Sequence, residues 1–190
     1  MDSFKTYLKQ FPHYTDSAYE NALPFLTEKT IKPGEFLLKE GRIARNIAFI
    51  DQGILRLFYL NGDTEVTNCF CRENSITCSY KSLILQEEST LSIQAIEESK
   101  VLLLSYDSLQ KLYALDPFWQ QIGRLAAESE YITSESHHRF LKDLSATERY
   151  LQVLNDDEEL LQRVPLNYLA TYLQVAPATL SRIRKKISRT

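Results

Sequence analysis

The last thirty positions of this 190-residue chain hold six basic residues, Arg163, Arg182, Arg184, Lys185, Lys186 and Arg189, and no acidic one. The whole chain carries −3, so residues 1–160 hold −9 against +6 in that final stretch. Positive charge concentrated at one end of an otherwise acidic protein is suited to attracting nucleic-acid phosphates. The residues from Leu166 to Lys185 follow the order of a helix-turn-helix. Ala170 is the small residue where two helices cross, and Leu169, Leu173, Val175, Leu180 and Ile183 supply the apolar contacts between them. Pro177 opens the second helix, where its missing N–H costs nothing. The outward positions are then Ala178, Thr179, Ser181, Arg182, Lys185 and Lys186. Arg182 can present a bidentate fork to guanine, and Thr179 and Ser181 can reach bases or phosphates. Lys185, Lys186 and Arg189 suit phosphate contacts that do not read sequence. Gln174 occupies the turn, where a glycine would be less strained by about 1 kcal/mol or less. The alternative reading of the same residues is a plain helical hairpin with a solvated charged face.

Other reactive side chains point to less. Cys69 and Cys71 are two apart and share a strand face, with Cys78 nearby. Three thiolates are enough for zinc or part of an iron–sulfur cluster. The reading adopted is that they are small buried hydrophobes, with no metal expected. His13, His137 and His138 all lie outside the strand-rich region, so a metal-dependent cupin enzyme is disfavoured and no nucleophile–base pair presents itself. Adjacent His137 and His138 point to different helix faces and read as surface or interface residues. No catalytic residue is assigned, and a non-enzyme is expected. The odd cysteine count fits a reducing compartment. No stretch nears the ~18 apolar residues of a membrane span, and the start lacks a signal-peptide run. A cytoplasmic protein without membrane attachment is expected.

The elements that position these residues change character along the chain. Residues 1–28 carry apolar positions at loose helical spacing, giving one or two short helices. From Thr30 to Tyr106 short apolar runs alternate with turns: Phe36–Leu38, Ile47–Ile50, Ile54–Tyr59, Val66–Phe70, Leu91–Ile96 and Val101–Leu104 give at least six strands. Asn61-Gly62-Asp63 is a hairpin turn. This pattern predicts a small β-roll. After Asp116-Pro117, apolar residues Trp119, Ile122, Leu125, Ala126, Ile132 and Phe140 recur at threes and fours, which predicts one long helix. Ser145-Ala146-Thr147-Glu148 is a capping box opening another helix. The acidic run Asp156–Glu159 reads as a loop.

The whole chain resembles the cyclic-AMP receptor protein and fumarate-nitrate regulator (Crp/Fnr) family of bacterial transcription factors. The likeness is carried by Lys32-Pro33-Gly34-Glu35-Phe36-Leu37-Leu38-Lys39-Glu40-Gly41, Ile47-Ala48-Phe49-Ile50-Asp51-Gln52-Gly53, the Asn61-Gly62-Asp63 turn, and Ala178-Thr179-Leu180-Ser181-Arg182-Ile183. It implies a cyclic-nucleotide-binding roll, a dimerisation helix and a DNA-binding end in which Arg182 contacts bases. Members that bind cyclic AMP hold its phosphate with an Arg-Ser pair and its ribose with a Gly-Glu pair. By that match Ser89 stands at the arginine, Thr90 keeps a hydroxyl, and Cys78-Ser79 occupy the Gly-Glu position. A buried phosphate would lack its charge-assisted partner, and Glu87 and Glu88 would repel it. Cyclic AMP is therefore not expected to bind with useful affinity. Another small effector, or none, is left open. Cys78, Ser79, Ser89 and Thr90 are the candidate ligand residues, with Thr133 or Ser134 from the long helix.

The expected fold class is α+β: a cyclic-nucleotide-binding-like β-roll (double-stranded β-helix or jelly roll), a long helix, and a C-terminal helix-turn-helix domain. Residues 1–115 would form the first part, 116–144 the dimerisation helix, and 145–190 a DNA-binding domain without the family's usual β-hairpin wing. The expected function is sequence-specific transcription regulation by a homodimer on double-stranded DNA. RNA polymerase is a further candidate partner. The alternative is a ligand-binding or protein-interaction module that has lost DNA binding.

Overall fold

A computed structural model of the chain describes residues 1–187 and divides into two compact units. The first comprises Met1–Tyr59 and Cys69–Ala127, the second Leu60–Asn68 and the chain from Glu128 onward.

The first unit opens with α1 (Asp2–Leu8) and α2 (Asp16–Ala22), the latter capped by the Thr15 hydroxyl accepting from the Ala18 N–H. Eight strands follow among the described residues: β1 (Leu26–Ile31), β2 (Phe36–Leu38), β3 (Asn46–Gln52), β4 (Leu55–Asn61), β5 (Thr64–Cys71), β6 (Ser75–Thr77), β7 (Ser92–Ala95) and β8 (Ser99–Ser105). They form two four-stranded sheets, ordered β1-β8-β3-β6 and β2-β7-β4-β5. Ile31, Ile50 and Val101 of one sheet and Leu55, Leu57 and Ile93 of the other meet in a single cluster, which is the inside of the roll. Alternation along β3 serves both faces. Ala48 and Ile50 point into the roll, whereas Phe49 points out into a second cluster with Phe4, Leu8, Tyr19 and Trp119. Trp119 is 2% exposed, and its indole N–H donates to the Ala18 carbonyl at 3.2 Å.

Two further helices lie in this unit, α3 (Tyr80–Leu85) and α4 (Tyr106–Leu115), the second capped by Ser105 accepting from the Ser108 N–H. α5 (Pro117–Asp143) is a single 27-residue helix that starts in the first unit and ends in the second. Gly123 on α5 packs beneath Tyr113, whose hydroxyl occupies the space a Cβ would need.

The second unit holds the rest of α5 with α6 (Ala146–Asp156), α7 (Glu158–Arg163), α8 (Leu166–Tyr172) and α9 (Pro177–Ile187). The capping box opening α6 is complete: the Ser145 hydroxyl accepts from the Glu148 N–H, and the Glu148 carboxylate accepts from the Ser145 N–H at 2.7 Å. These bonds hold the Glu148 carboxyl below its ordinary pKa. The acidic run expected as a loop instead spans the junction of two helices, with Asp156 ending α6 and Glu158 and Glu159 opening α7. Asp157 caps it by accepting from the Leu160 N–H at 3.0 Å, and Glu158 and Glu159 lie in its first turn, where the helix dipole favours negative charge. The tip of the β4–β5 hairpin belongs to this unit too. Thr67, 1% exposed, shares a 2.6 Å hydrogen bond with Thr171 on α8.

Candidate nucleic-acid interface and ligand cleft

α8 and α9 are joined through a turn of defined geometry. Gln174 has φ +50°, its N–H donates to the Thr171 carbonyl, and the Val175 N–H donates to the Ala170 carbonyl at 3.0 Å. This pair of bonds is a Schellman motif, which satisfies the last carbonyls of α8. Gln174 tolerates the left-handed position at the modest cost expected of a residue with a Cβ. Leu169, Ala170, Leu173 and Leu180 are each 0% exposed, whereas Val175 and Ile183, assigned to the same contact by spacing, are half-buried.

That packing fixes which side of α9 faces outward. Ser181, Arg182, Lys185 and Lys186 are exposed and Thr179 is half-buried. The Arg182 guanidinium lies back along its own helix, with Nη2 3.4 Å from the Thr179 hydroxyl and Nε 3.4 Å from the Ala178 carbonyl. Arg189 lies outside the described residues. His137, on α5, belongs to a three-ring cluster, with its ring 5.8 Å from Phe140 and 5.4 Å from Tyr172 and those two rings 5.6 Å apart, and burial pushes its pKa down. His138 beside it is exposed, so the pair divides between two helix faces as expected.

In the first unit, the residues matched to a cyclic-nucleotide cassette divide. Ser79 and Ser89 come together, buried at 3% and 2% exposure, with their hydroxyls 2.8 Å apart. Ser89 Oγ also lies 2.7 Å from the Leu91 carbonyl and accepts from the Leu91 N–H. Cys78 is half-buried and Thr90 is exposed. Thr133 and Ser134 are exposed on α5.

Ser79 also lines an open cleft of about 410 Å³ with Phe36, Leu37, Leu38, Ile93, Lys39, Arg42 and Arg45. Three of the lining residues are basic and none is acidic. The sequence reading missed this group. Arg42 and Arg45 sit in the irregular segment between β2 and β3, where no periodicity marks a shared face. The reading also passed over Arg56, which is 0% exposed on β4, donates to Gln94 at 3.2 Å and lies 4.0 Å over the Phe58 ring. Its place in an apolar strand pattern gave no sign that a cation was being buried.

Residues 28–116 match the cyclic nucleotide-binding domain. No curated protein matches the sequence. Among solved structures, FixK2 from Bradyrhizobium japonicum is similar at 20% identity and TM-score 0.76, over 86% of this chain and 85% of that one. CLP from Xanthomonas campestris, described as a global regulator, is similar at 15% identity and TM-score 0.75, over 92% of each chain. Thermus thermophilus catabolite activator protein gives 19% identity and TM-score 0.58, over 96% of this chain and 87% of that one. The chain thus carries the β-roll of the cyclic nucleotide-binding domain followed by a long helix, the fold shared with these structures.

Proposed function

We infer that the protein is a sequence-specific DNA-binding transcription regulator in which α8 and α9 act as a helix-turn-helix. The observation that carries this reading is the division of α9: Leu180 is fully buried, while Ser181, Arg182, Lys185 and Lys186 are exposed on its other side. In this reading residues 1–115 are a sensor-like roll, 116–144 a coupling and dimerisation helix, and 145–190 the DNA-binding domain. Every residue of α5 from Glu128 to Ser136 is exposed, including Tyr131 at 72% and Ile132 at 62%, which supports pairing of this stretch with a second copy. Two α9 helices would then enter successive major grooves about 34 Å apart.

The experiment is a fluorescence-anisotropy titration on selected operator and scrambled duplexes across a range of salt. Affinity should fall steeply with salt as phosphate counterions are released. Arg182→Ala should cost about 1–3 kcal/mol on the operator and relax base preference at one position. Lys185→Ala should weaken both duplexes alike and reduce the salt slope by about 1. Affinity that ignores both substitutions would sink the assignment of α9 as the reader.

The roll is proposed not to respond to cyclic AMP. Ser89 stands where the charge-assisted phosphate partner is needed, and its hydroxyl is already engaged with Ser79 and Leu91. Isothermal titration of the full-length protein with cyclic AMP should show no binding at micromolar concentrations, and micromolar or tighter affinity would refute this. A ligand of the cleft beside Lys39, Arg42 and Arg45 is better matched by an anion than by a cation. Any effector acts only so far as it binds one arrangement of the DNA-reading helices better than another.

A further inference from the structure

The open cleft of about 410 Å³ is lined by two kinds of chemistry. Leu37, Leu38 and Ile93 belong to the cluster inside the roll and, with half-buried Phe36, form an apolar floor. Lys39, Arg42 and Arg45 line the same cleft and are exposed. Elsewhere Lys5, Arg139 and Arg163 are paired with Asp16, Glu135 and Glu159. Among the described residues none of the three cleft cations is paired with a carboxylate, and neither Glu87 nor Glu88 lines the cleft. The Lys39 ammonium lies 4.8 Å over the Phe36 ring, which joins the basic rim to the floor.

Main-chain bonds hold the rim in place. The Gly41 N–H donates to the Ser89 carbonyl at 2.8 Å, and the Ser89 N–H donates to the Arg42 carbonyl at 2.9 Å. The Ala44 N–H donates to the Ser82 hydroxyl at 2.9 Å, and the Tyr106 N–H donates to the Arg45 carbonyl at 2.8 Å. Cations mounted on a fixed backbone lose less freedom when an anion arrives. None of these bonds uses the Arg42 or Arg45 side chain, so exchanging those side chains leaves the frame intact.

The two chemistries select together. An inorganic anion would leave the apolar floor wet, and a neutral apolar molecule would gain nothing from the cations. The volume falls within the range of roughly 300–1,000 Å³ that holds a whole small molecule. We propose that the cleft binds an amphiphilic organic anion, its carboxylate or phosphate oxygens at Arg42 and Arg45 and its apolar body on Phe36, Leu37 and Leu38. This rests on the anionic reading of the cleft and adds the apolar body and the residues that hold each end. The grip comes from the connection between β2 and β3, not from Ser89, whose hydroxyl is engaged with Ser79 and Leu91.

The probe is anilinonaphthalene sulfonate, an aromatic anion whose fluorescence rises in apolar surroundings, titrated into the full-length protein. Hexanoate, hexyl phosphate, inorganic phosphate, hexanol and hexylammonium then compete with it. Hexanoate or hexyl phosphate should displace the probe at concentrations about tenfold or more below the other three, and the stronger of the two identifies the anionic group. A protein carrying both Arg42→Ala and Arg45→Ala should bind the probe about tenfold more weakly. Lys100→Ala, which removes an exposed cation of β8 outside the cleft, should bind it as the wild type does. Circular dichroism checks that the variants are folded, and the competition series needs only wild-type protein. Inorganic phosphate as effective as hexyl phosphate would overturn the amphiphilic ligand and keep the anionic reading. Hexanol or hexylammonium as the best competitor would overturn both. No probe binding, or affinity indifferent to the loss of Arg42 and Arg45, would remove the site from this cleft.

Discussion

Gly53→Ala is expected to lower the midpoint of thermal unfolding by roughly 5–20 °C. Gly53 joins β3 to β4 with φ +98°, beyond the region that other residues reach in left-handed turns. A Cβ there would meet the Ser99 Cα at 2.7 Å and the Glu98 carbonyl oxygen at 2.8 Å, both backbone atoms that no rotamer change can move away. Backbone strain of this kind costs about 1–3 kcal/mol, and forced overlap adds about 1–3 kcal/mol more. The Gly53 N–H also donates to the Glu73 carboxylate at 2.7 Å, a bond that any displacement of the turn weakens. Gly62→Ala is the control. Gly62 has φ +62° in the hairpin turn with nothing within 4 Å of a Cβ, so it isolates the cost of positive φ alone, about 1 kcal/mol. Equal midpoints for the two variants in circular dichroism melts would show that the close approach of Ser99 is not what requires glycine.

Leu180→Ala is expected to destabilise the helical unit by about 2–5 kcal/mol. Leu180 is 0% exposed and packs with Leu169, Ala170 and Leu173, themselves fully buried, so the missing carbons leave a cavity between α8 and α9. Its neighbours Ser181 and Arg182 keep their identity but lose the anchor that sets how α9 is rotated. Duplex affinity should therefore fall at least tenfold with no outward residue changed, while the roll melts as before. Leu180→Met, which conserves volume, should lose less than about 1.5 kcal/mol. Calorimetric melts together with anisotropy check both parts, and undiminished duplex binding by a destabilised Leu180→Ala protein would uncouple α9 from DNA reading.

The elements that were plain in the sequence had local and redundant signals. The Ser145–Glu148 box, Pro117 and Pro177 each mark a helix start through backbone chemistry that acts within one turn. The buried face of α9 followed from spacing alone, because a helix with one apolar stripe has a single way to bury it. What escaped depended on distant partners. β1 shows exposed Thr27, Glu28, Lys29 and Thr30 in a row, and only its pairing with β8 makes it a strand. α3 spans six residues and has no side-chain cap. The acidic run was misread because charge signals solvent without saying whether the backbone is helical. Capping by Asp157 decided that. In the ligand region, Ser79 and Ser89 were found as separate positions, yet their hydroxyl contact is a property of the fold. The basic rim of the cleft came from loop residues with no pattern to read.

The hairpin tip carries a practical consequence for dissecting the molecule. Residues 60–68 belong with the helices that follow residue 128, although their strands are rooted in the roll. A fragment beginning at Glu128 would lose Thr67 and its hydrogen bond to Thr171, whose hydroxyl would keep only the Tyr168 carbonyl, while the complementary fragment would keep a ribbon end stripped of its packing. The two units are interleaved along the polypeptide, and no single cut releases either of them whole.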